Sequence, residues 1–170
     1  MNFYDTDRAV SEYLLFHYGR AEDLLPHAFG PTDALEYPAR CVSECLDVEA
    51  LPENARALDL GCAVGRSTFE LARHCGEIIG IDFSQPFIDA AVDLQTQGCA
   101  DYSYAVEGEL RQTASVEIDP AIDRSRVSFE QGDAMDLRDH LGQFDVLLAA
   151  NLLCRLTEPM KCLERLPGLL

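Results

Sequence analysis

The chain has 170 residues, 48% of them apolar and 25% charged, a composition that suits one folded domain with a real apolar core. Thirty acidic residues against 13 basic ones leave a net charge of −17. Such a surface repels phosphate backbones and anionic lipid, so neither nucleic acid nor a membrane is an expected partner.

The opening MNFYDTDRAV has neither a basic start nor an apolar run, so no secretory signal is expected there. No segment has the length needed to cross a bilayer. Seven cysteines, at 41, 45, 62, 75, 99, 154 and 162, include no CxxC pair and read as reduced thiols of a cytoplasmic protein. Cys41 and Cys45 stand four apart on an expected helix, but no second pair of soft ligands completes a tetrahedron, so no metal is expected.

Residues 6–18 read as a helix, capped by Asp5 or Thr6 and stopped at Gly19, with Val10, Tyr13, Leu14, His17 and Tyr18 on one stripe. Pro26, Gly30 and Pro31 make 20–31 a loop, and a second helix is expected over 32–47, disturbed at Pro38. Residues 1–50 thus form a helical cap, and 51–170 an α/β unit packed with it. From residue 55 the period changes. ARALDLG is a strand, CAVG a glycine-punctuated turn and RSTFELARHC a helix; EIIGID is a second strand followed by the helix SQPFIDAAVDLQTQ. Residues 98–126 are irregular or form a hairpin from YSYAVEG and TASVEI. RVSFEQGD is a third strand, FDVLLAANLL a fourth, nearly all apolar and expected to be buried on both faces, and PMKCLERL a closing helix. Alternating strands and helices predict a Rossmann-like, doubly wound parallel sheet, with all strand C-termini on one rim where ligands bind.

Three signals fall on that rim. Asp59-Leu-Gly61-Cys62-Ala63-Val64-Gly65 joins a strand to a helix, where glycines admit close approach of a ligand. Asp82 ends the second strand, placed to accept both hydroxyls of a ribose, or to cap the next helix. Asp133 follows the third strand in Gln131-Gly132-Asp133-Ala134, placed to accept from an adenine amino group, or to make a turn. A dinucleotide site wants G-x-G-x-x-G and binds pyrophosphate at the helix start. Here Ala63 replaces the middle glycine, the third is missing, and the charge of Asp59 opposes a pyrophosphate. An adenosyl ligand with an ammonium group and no phosphate suits these residues better.

Together ALDLGCAVGRST, IGIDFS, FEQGDA and FDVLLAANLL resemble motifs I to IV of class I S-adenosylmethionine-dependent methyltransferases over residues 55–166. The resemblance implies that Gly61 to Gly65, Cys62 and Ala63 included, line the methionine part of the cofactor. It implies that Asp82 takes the ribose hydroxyls, that neighbouring Phe83 also belongs to the cofactor site, and that Asp133 and Ala134 take the adenine. Asn151 would stand between cofactor and methyl acceptor. Over the whole chain, segments such as NFYDTDRAVSEYLLFHYG, YPARCVSE and LLAANLLCRL are similar to the C-terminal methyltransferase domain of the ovothiol biosynthesis enzyme, a 4-mercaptohistidine N1-methyltransferase family. That similarity implies methylation of an imidazole nitrogen of 5-thiohistidine, with fusion to or association with an iron-dependent sulfoxide synthase domain. Candidates to hold the acceptor are Asn151, Tyr4, Tyr13, His17 and Arg155, the last able to meet a substrate carboxylate bidentately. The plainer alternatives are that Tyr13 and His17 pack their helix, that Arg155 pairs with surface acids and that Cys62 fills space.

The family's sheet has seven strands against four legible here. The chain therefore reads as C-terminally truncated, with its fourth strand an exposed apolar edge and little turnover of its own. Three rivals stay open: a nicotinamide-dependent oxidoreductase on a similar fold, a non-catalytic binding module, and a methyltransferase for another small acceptor.

Overall fold

The computed structural model describes residues 3–25, 27 and 29–170. Helix α1 is Asp7–Tyr18, and Thr6 caps it by accepting from the Ala9 amide at 3.1 Å. Its inward face buries Ala9 and Leu14. A short helix, α2 (Ala21–Leu24), lies where a loop was expected; Pro26 falls outside the described residues. The expected helix over 32–47 is broken into a 3-10 turn, Thr32–Ala34, and α3, Tyr37–Ser43. The cause is local. Glu36 takes a left-handed conformation (φ 55°), and Pro38 occupies the first turn of α3, so proline starts this helix instead of disturbing it.

The α/β unit follows the expected alternation. Strand β1 is Arg56–Leu60, α4 Arg66–Leu71, β2 Glu77–Asp82, and α5 Gln85–Gln97. Ser84 caps α5 at its start, and Gly98, in the left-handed region (φ 81°), ends it. Residues 98–126 resolve the open alternative in favour of a hairpin, β3 (Cys99–Glu107) and β4 (Leu110–Glu117). Its Tyr102, Tyr104 and Val116 are buried in the same core as Ala9 and Leu14 of α1. The Tyr104 hydroxyl donates to Asp23 just beyond that helix, at 2.9 Å. Strands β5 (Val127–Gln131) and β6 (Val146–Leu148) and helix α6 (Pro159–Arg165) complete the order.

The main sheet is parallel, in the order β5-β2-β1-β6. Alternation assigns its faces. Ala57, Ile78 and Val127 pack with Phe69, Phe87 and Leu94 of α4 and α5, and with the N-terminal helices. Leu58, Leu60, Ile79 and Ile81 face the other way, onto Leu137, Leu141, Phe144 and Cys162. The sheet is thus covered on both sides, as doubly wound patterning requires.

The fourth strand meets one expectation and fails another: it is a partly exposed apolar edge, and it is not buried on both faces. The fourth parallel strand is three residues long, lies at the sheet edge beside β1, and keeps Val146, Leu147 and Leu148 only half-buried. Its continuous apolar run does not mean burial on both faces. After Leu148 the chain turns away, and Asn151 adopts φ 54°. The 51–170 unit and the residues before it share one apolar core. No helix among the described residues is long and apolar enough to cross a membrane.

Candidate functional site

The chain reverses direction across the sheet between β1 and β6, since β2 and β5 lie on one side of β1 and β6 on the other. At such a switch point the loops beyond the strand ends part and leave a crevice. A cavity of about 550 Å³ occupies it. Asp59 and Gly61 reach it from β1, Asp82 and Phe83 from β2, Asp133 and Ala134 from β5, and Asn151 from β6; Tyr4, Tyr13, His17 and Arg155 also line it.

Two residues named from the sequence stand elsewhere: Cys62 and Gly65 are not on the cavity wall. Cys62 is buried, and burial pushes its thiol well above the usual range. Gly65 supplies a positive φ of 83° at the start of α4, where a Cβ would meet the Phe129 ring at 2.7 Å. Its requirement is for turn conformation and close packing.

The motif loop is tied inward. Gly61 and Cys62 donate their amides to the Ile81 carbonyl at 2.8 and 3.1 Å, Gly65 donates to Cys62 at 2.9 Å, and the Ala63 amide donates to Asp82 Oδ2 at 2.9 Å. With these amides satisfied inside the protein, the loop offers no nest of N–H groups at those positions for a phosphate. Ala63 sits at φ 47°, a conformation easier for glycine.

Asp82 therefore does more than end a strand. One oxygen holds the motif loop, and the other accepts from the Ser84 amide at 2.9 Å. Burial raises its carboxyl above the ordinary value despite those bonds. Asp59 is 2% exposed and accepts from the Thr68 hydroxyl at 2.7 Å. Burial, with the Asp82 charge adding to it, pushes Asp59 up to about 7, against the opposing Thr68 bond. Asp133 accepts from the Met135 amide at 2.8 Å, so it makes a turn and lines the cavity at once.

The N-terminal segment walls the cavity with rings. Tyr13 lies 4.6 Å from Phe87 and 6.1 Å from Tyr4, centroid to centroid. The Ser84 hydroxyl donates to the Tyr4 carbonyl at 2.7 Å, the Tyr18 hydroxyl to the Val64 carbonyl at 2.9 Å, and Ser67 to the Pro38 carbonyl at 3.0 Å. These bonds fasten the cap to the motif loop and to the N-terminal ends of α4 and α5. Burial, and then the nearby Arg66 charge, lower His17 to about 3, so its ring is neutral at physiological pH. Its Nδ1 is buried with no hydrogen-bond partner. Tyr37, Pro38, Phe87, Met135, Leu152 and Thr157 also line the cavity, and sequence reasoning did not single them out. They carry no motif signal, because apolar residues before and after the sheet look like ordinary packing. Cys41 is half-buried and Cys45 exposed, and neither lines the cavity.

Comparison with known proteins gives a consistent answer. Residues 58–170 match a family described as a methyltransferase domain. A magnesium-protoporphyrin O-methyltransferase of Rhodobacter capsulatus is 32% identical over 94 residues, which cover 55% of this chain and 30% of that protein. The CcbJ methyltransferase of Streptomyces caelestis shares the fold with a TM-score of 0.59 at 22% identity, covering 97% of this chain and 54% of that one. The glycopeptide N-methyltransferase MtfA, solved in complex with (S)-adenosyl-L-methionine, gives 0.54 at 15% identity, covering 78% of this chain and 49% of that one. The chain spans about half of those two structures and less of the curated relative. At these structural identities the likeness is one of fold.

Proposed function

The chain belongs to the methyltransferase-domain family, and from that premise we propose that it binds S-adenosylmethionine at the switch-point cavity and methylates a small molecule. The observation that carries this reading is the convergence of Asp59, Asp82 and Asp133, from three successive strand ends, on one cavity. Its volume of about 550 Å³ lies within the range of small-molecule sites. The inward-tied motif loop and the buried carboxylates disfavour a pyrophosphate and suit a ligand that carries an ammonium group.

S-adenosylmethionine, when bound, supplies an electrophilic methyl on a sulfonium sulfur. The chain's own residues hold, orient and shield. Asp59, which lines the cavity, would hold the ammonium of the amino-acid end. Asp82, with both oxygens already fixed by backbone amides, retains lone pairs for the ribose hydroxyls. Asp133 and Ala134 would meet the adenine, and Phe83, which lines the same cavity, would help hold the cofactor. Residues 1–50 act as a cap whose Tyr4, Tyr13 and His17 keep water from the reacting centre.

The acceptor we propose is the imidazole of 5-thiohistidine, on the strength of the whole-chain sequence resemblance. A neutral imidazole nitrogen attacks with its own lone pair. The bound donor would supply the methyl and keep the electron pair of the S–CH₃ bond on its sulfur, and the other ring nitrogen of the acceptor would release its proton to water. Alignment is the main demand, and no strong base is needed. A sulfoxide synthase that adds sulfur to the imidazole carbon is the partner reaction this acceptor requires.

Titration calorimetry of the full chain with S-adenosylhomocysteine and with NAD tests the cofactor. Saturable binding of the first and none of the second is expected; NAD binding alone would overturn the reading in favour of an oxidoreductase. Mass spectrometry with S-adenosylmethionine then separates acceptors, with a gain of one methyl expected on 5-thiohistidine and none on histidine.

A further inference from the structure

The cavity contains a cation with no ion-pair partner among the described residues. Arg8, Arg20, Arg40, Arg56, Arg66, Arg73, Arg126 and Arg138 each form an ion pair with a nearby carboxylate. Arg111, Arg124, Arg155 and Arg165 form none among the described residues, and of these four only Arg155 lines the cavity. It stands on the cavity wall, at the end of the 3-10 turn Leu153–Arg155 beyond β6. Tyr13, whose phenol feels its charge, lines the same cavity, and the Tyr4 and Phe87 rings pack against Tyr13 there. The same wall presents His17, whose ring is neutral and whose Nδ1 lacks a partner.

These features together describe an incomplete recognition site. In a chain of net charge −17 the carboxylate group of an acceptor meets an unfavourable field, so it needs a local cation to hold it. A guanidinium free of internal carboxylates can take a ligand carboxylate bidentately. The rings that line the same cavity suit a flat acceptor nucleus. We propose that Arg155 determines acceptor specificity by binding the carboxylate of a small planar methyl acceptor against the Tyr4–Tyr13–Phe87 wall. This rests on the methyltransferase reading and assigns the acceptor to the carboxylate-bearing, amino-acid class. Arg155 is a positioning and specificity residue and takes no part in bond making. Its exposed side chain lets it be replaced without disturbing the core.

Equilibrium binding to the full chain saturated with S-adenosylhomocysteine provides the test. The probes are 5-thiohistidine and its decarboxylated amine. The wild type is expected to bind the first more tightly by on the order of 10- to 100-fold, the range of a charge-assisted hydrogen bond. Arg155→Gln should erase that preference while leaving the S-adenosylhomocysteine Kd within about threefold, and Arg155→Lys should restore part of it. Equal binding of the two probes by the wild type, or binding of neither, overturns the proposal while leaving the cofactor reading intact. If Arg155→Gln instead weakens S-adenosylhomocysteine and spares the probe preference, Arg155 serves the cofactor and the proposal fails. Failure of the wild type to bind S-adenosylhomocysteine at all would sink the underlying methyltransferase reading itself.

Discussion

Two buried ionisable side chains on the cavity wall oppose each other in their effect on stability. Asp59 goes from 3.8 in the unfolded chain to about 7 in the folded one. The folded state therefore holds this proton more tightly, and its burial costs stability in full above pH 7, a cost relieved as pH falls toward 4. Asp59→Asn should raise the unfolding free energy at pH 8 by on the order of 2 kcal/mol, with little change at pH 4. The same variant should bind S-adenosylhomocysteine more weakly, and wild-type affinity should decline as pH drops through 7. Chemical denaturation and calorimetry across pH check both; a variant less stable than wild type at pH 8 would contradict the assigned burial cost. His17 moves the other way, from 6.5 to about 3. Its neutral form contributes stability above pH 6.5 that is lost as pH falls toward 3. His17→Gln should thus lose less stability than wild type between pH 7 and 4, by on the order of 2 kcal/mol. Asp59 was legible in the sequence as a strand-end acid before two glycines. Its buried bond to Thr68, nine residues on, was not, because that contact depends on how α4 folds back over β1.

At the scale of elements, the motif loop owes its shape to packing as much as to its own residues. Phe129 of β5 lies against Gly80 of β2, its register partner, and also against Gly65 at the start of α4. A Cβ at Gly80 would come within 2.8 Å of the Phe129 ring and 3.0 Å of the Thr68 hydroxyl. Gly80→Ala should lower Tm by on the order of 5 °C, an overpacking cost felt without any ligand present. An unchanged Tm in thermal scans would mean that Phe129 has room to move. The β3–β4 hairpin shows the same dependence at longer range. Its apolar alternation fits a strand pair, yet only the fold reveals that Tyr102 and Tyr104 share the core behind α1, whose other residues wall the cavity. The break before α3 had a local cause in Glu36 and Pro38, whereas β6 lies at the sheet edge as expected but is not buried on both faces, because an apolar run reads alike at an edge and in the centre of a sheet.

For the molecule as a whole, the net charge of −17 sets a background that no single contact reveals. Most of the ion pairs are local and exposed, so each contributes little. Long-range self-repulsion should dominate at low ionic strength. Raising salt from about 10 to about 100 mM shortens the screening length from roughly 30 to roughly 10 Å and should raise Tm by a few degrees. A Tm that fell over this range would show that the ion pairs outweigh the repulsion. The amino-acid sequence by itself determined the order of strands and helices, the doubly wound class and the acids at successive strand ends, because periodicity, capping and glycine turns are local properties. Only the tertiary structure decided that those acids meet in one cavity, that Gly65 and Cys62 stand behind its wall, and that the N-terminal rings and Arg155 complete it. Convergence is a matter of strand order and crossover across the sheet, and residues far apart along the chain acquire a shared neighbourhood only once that sheet has formed.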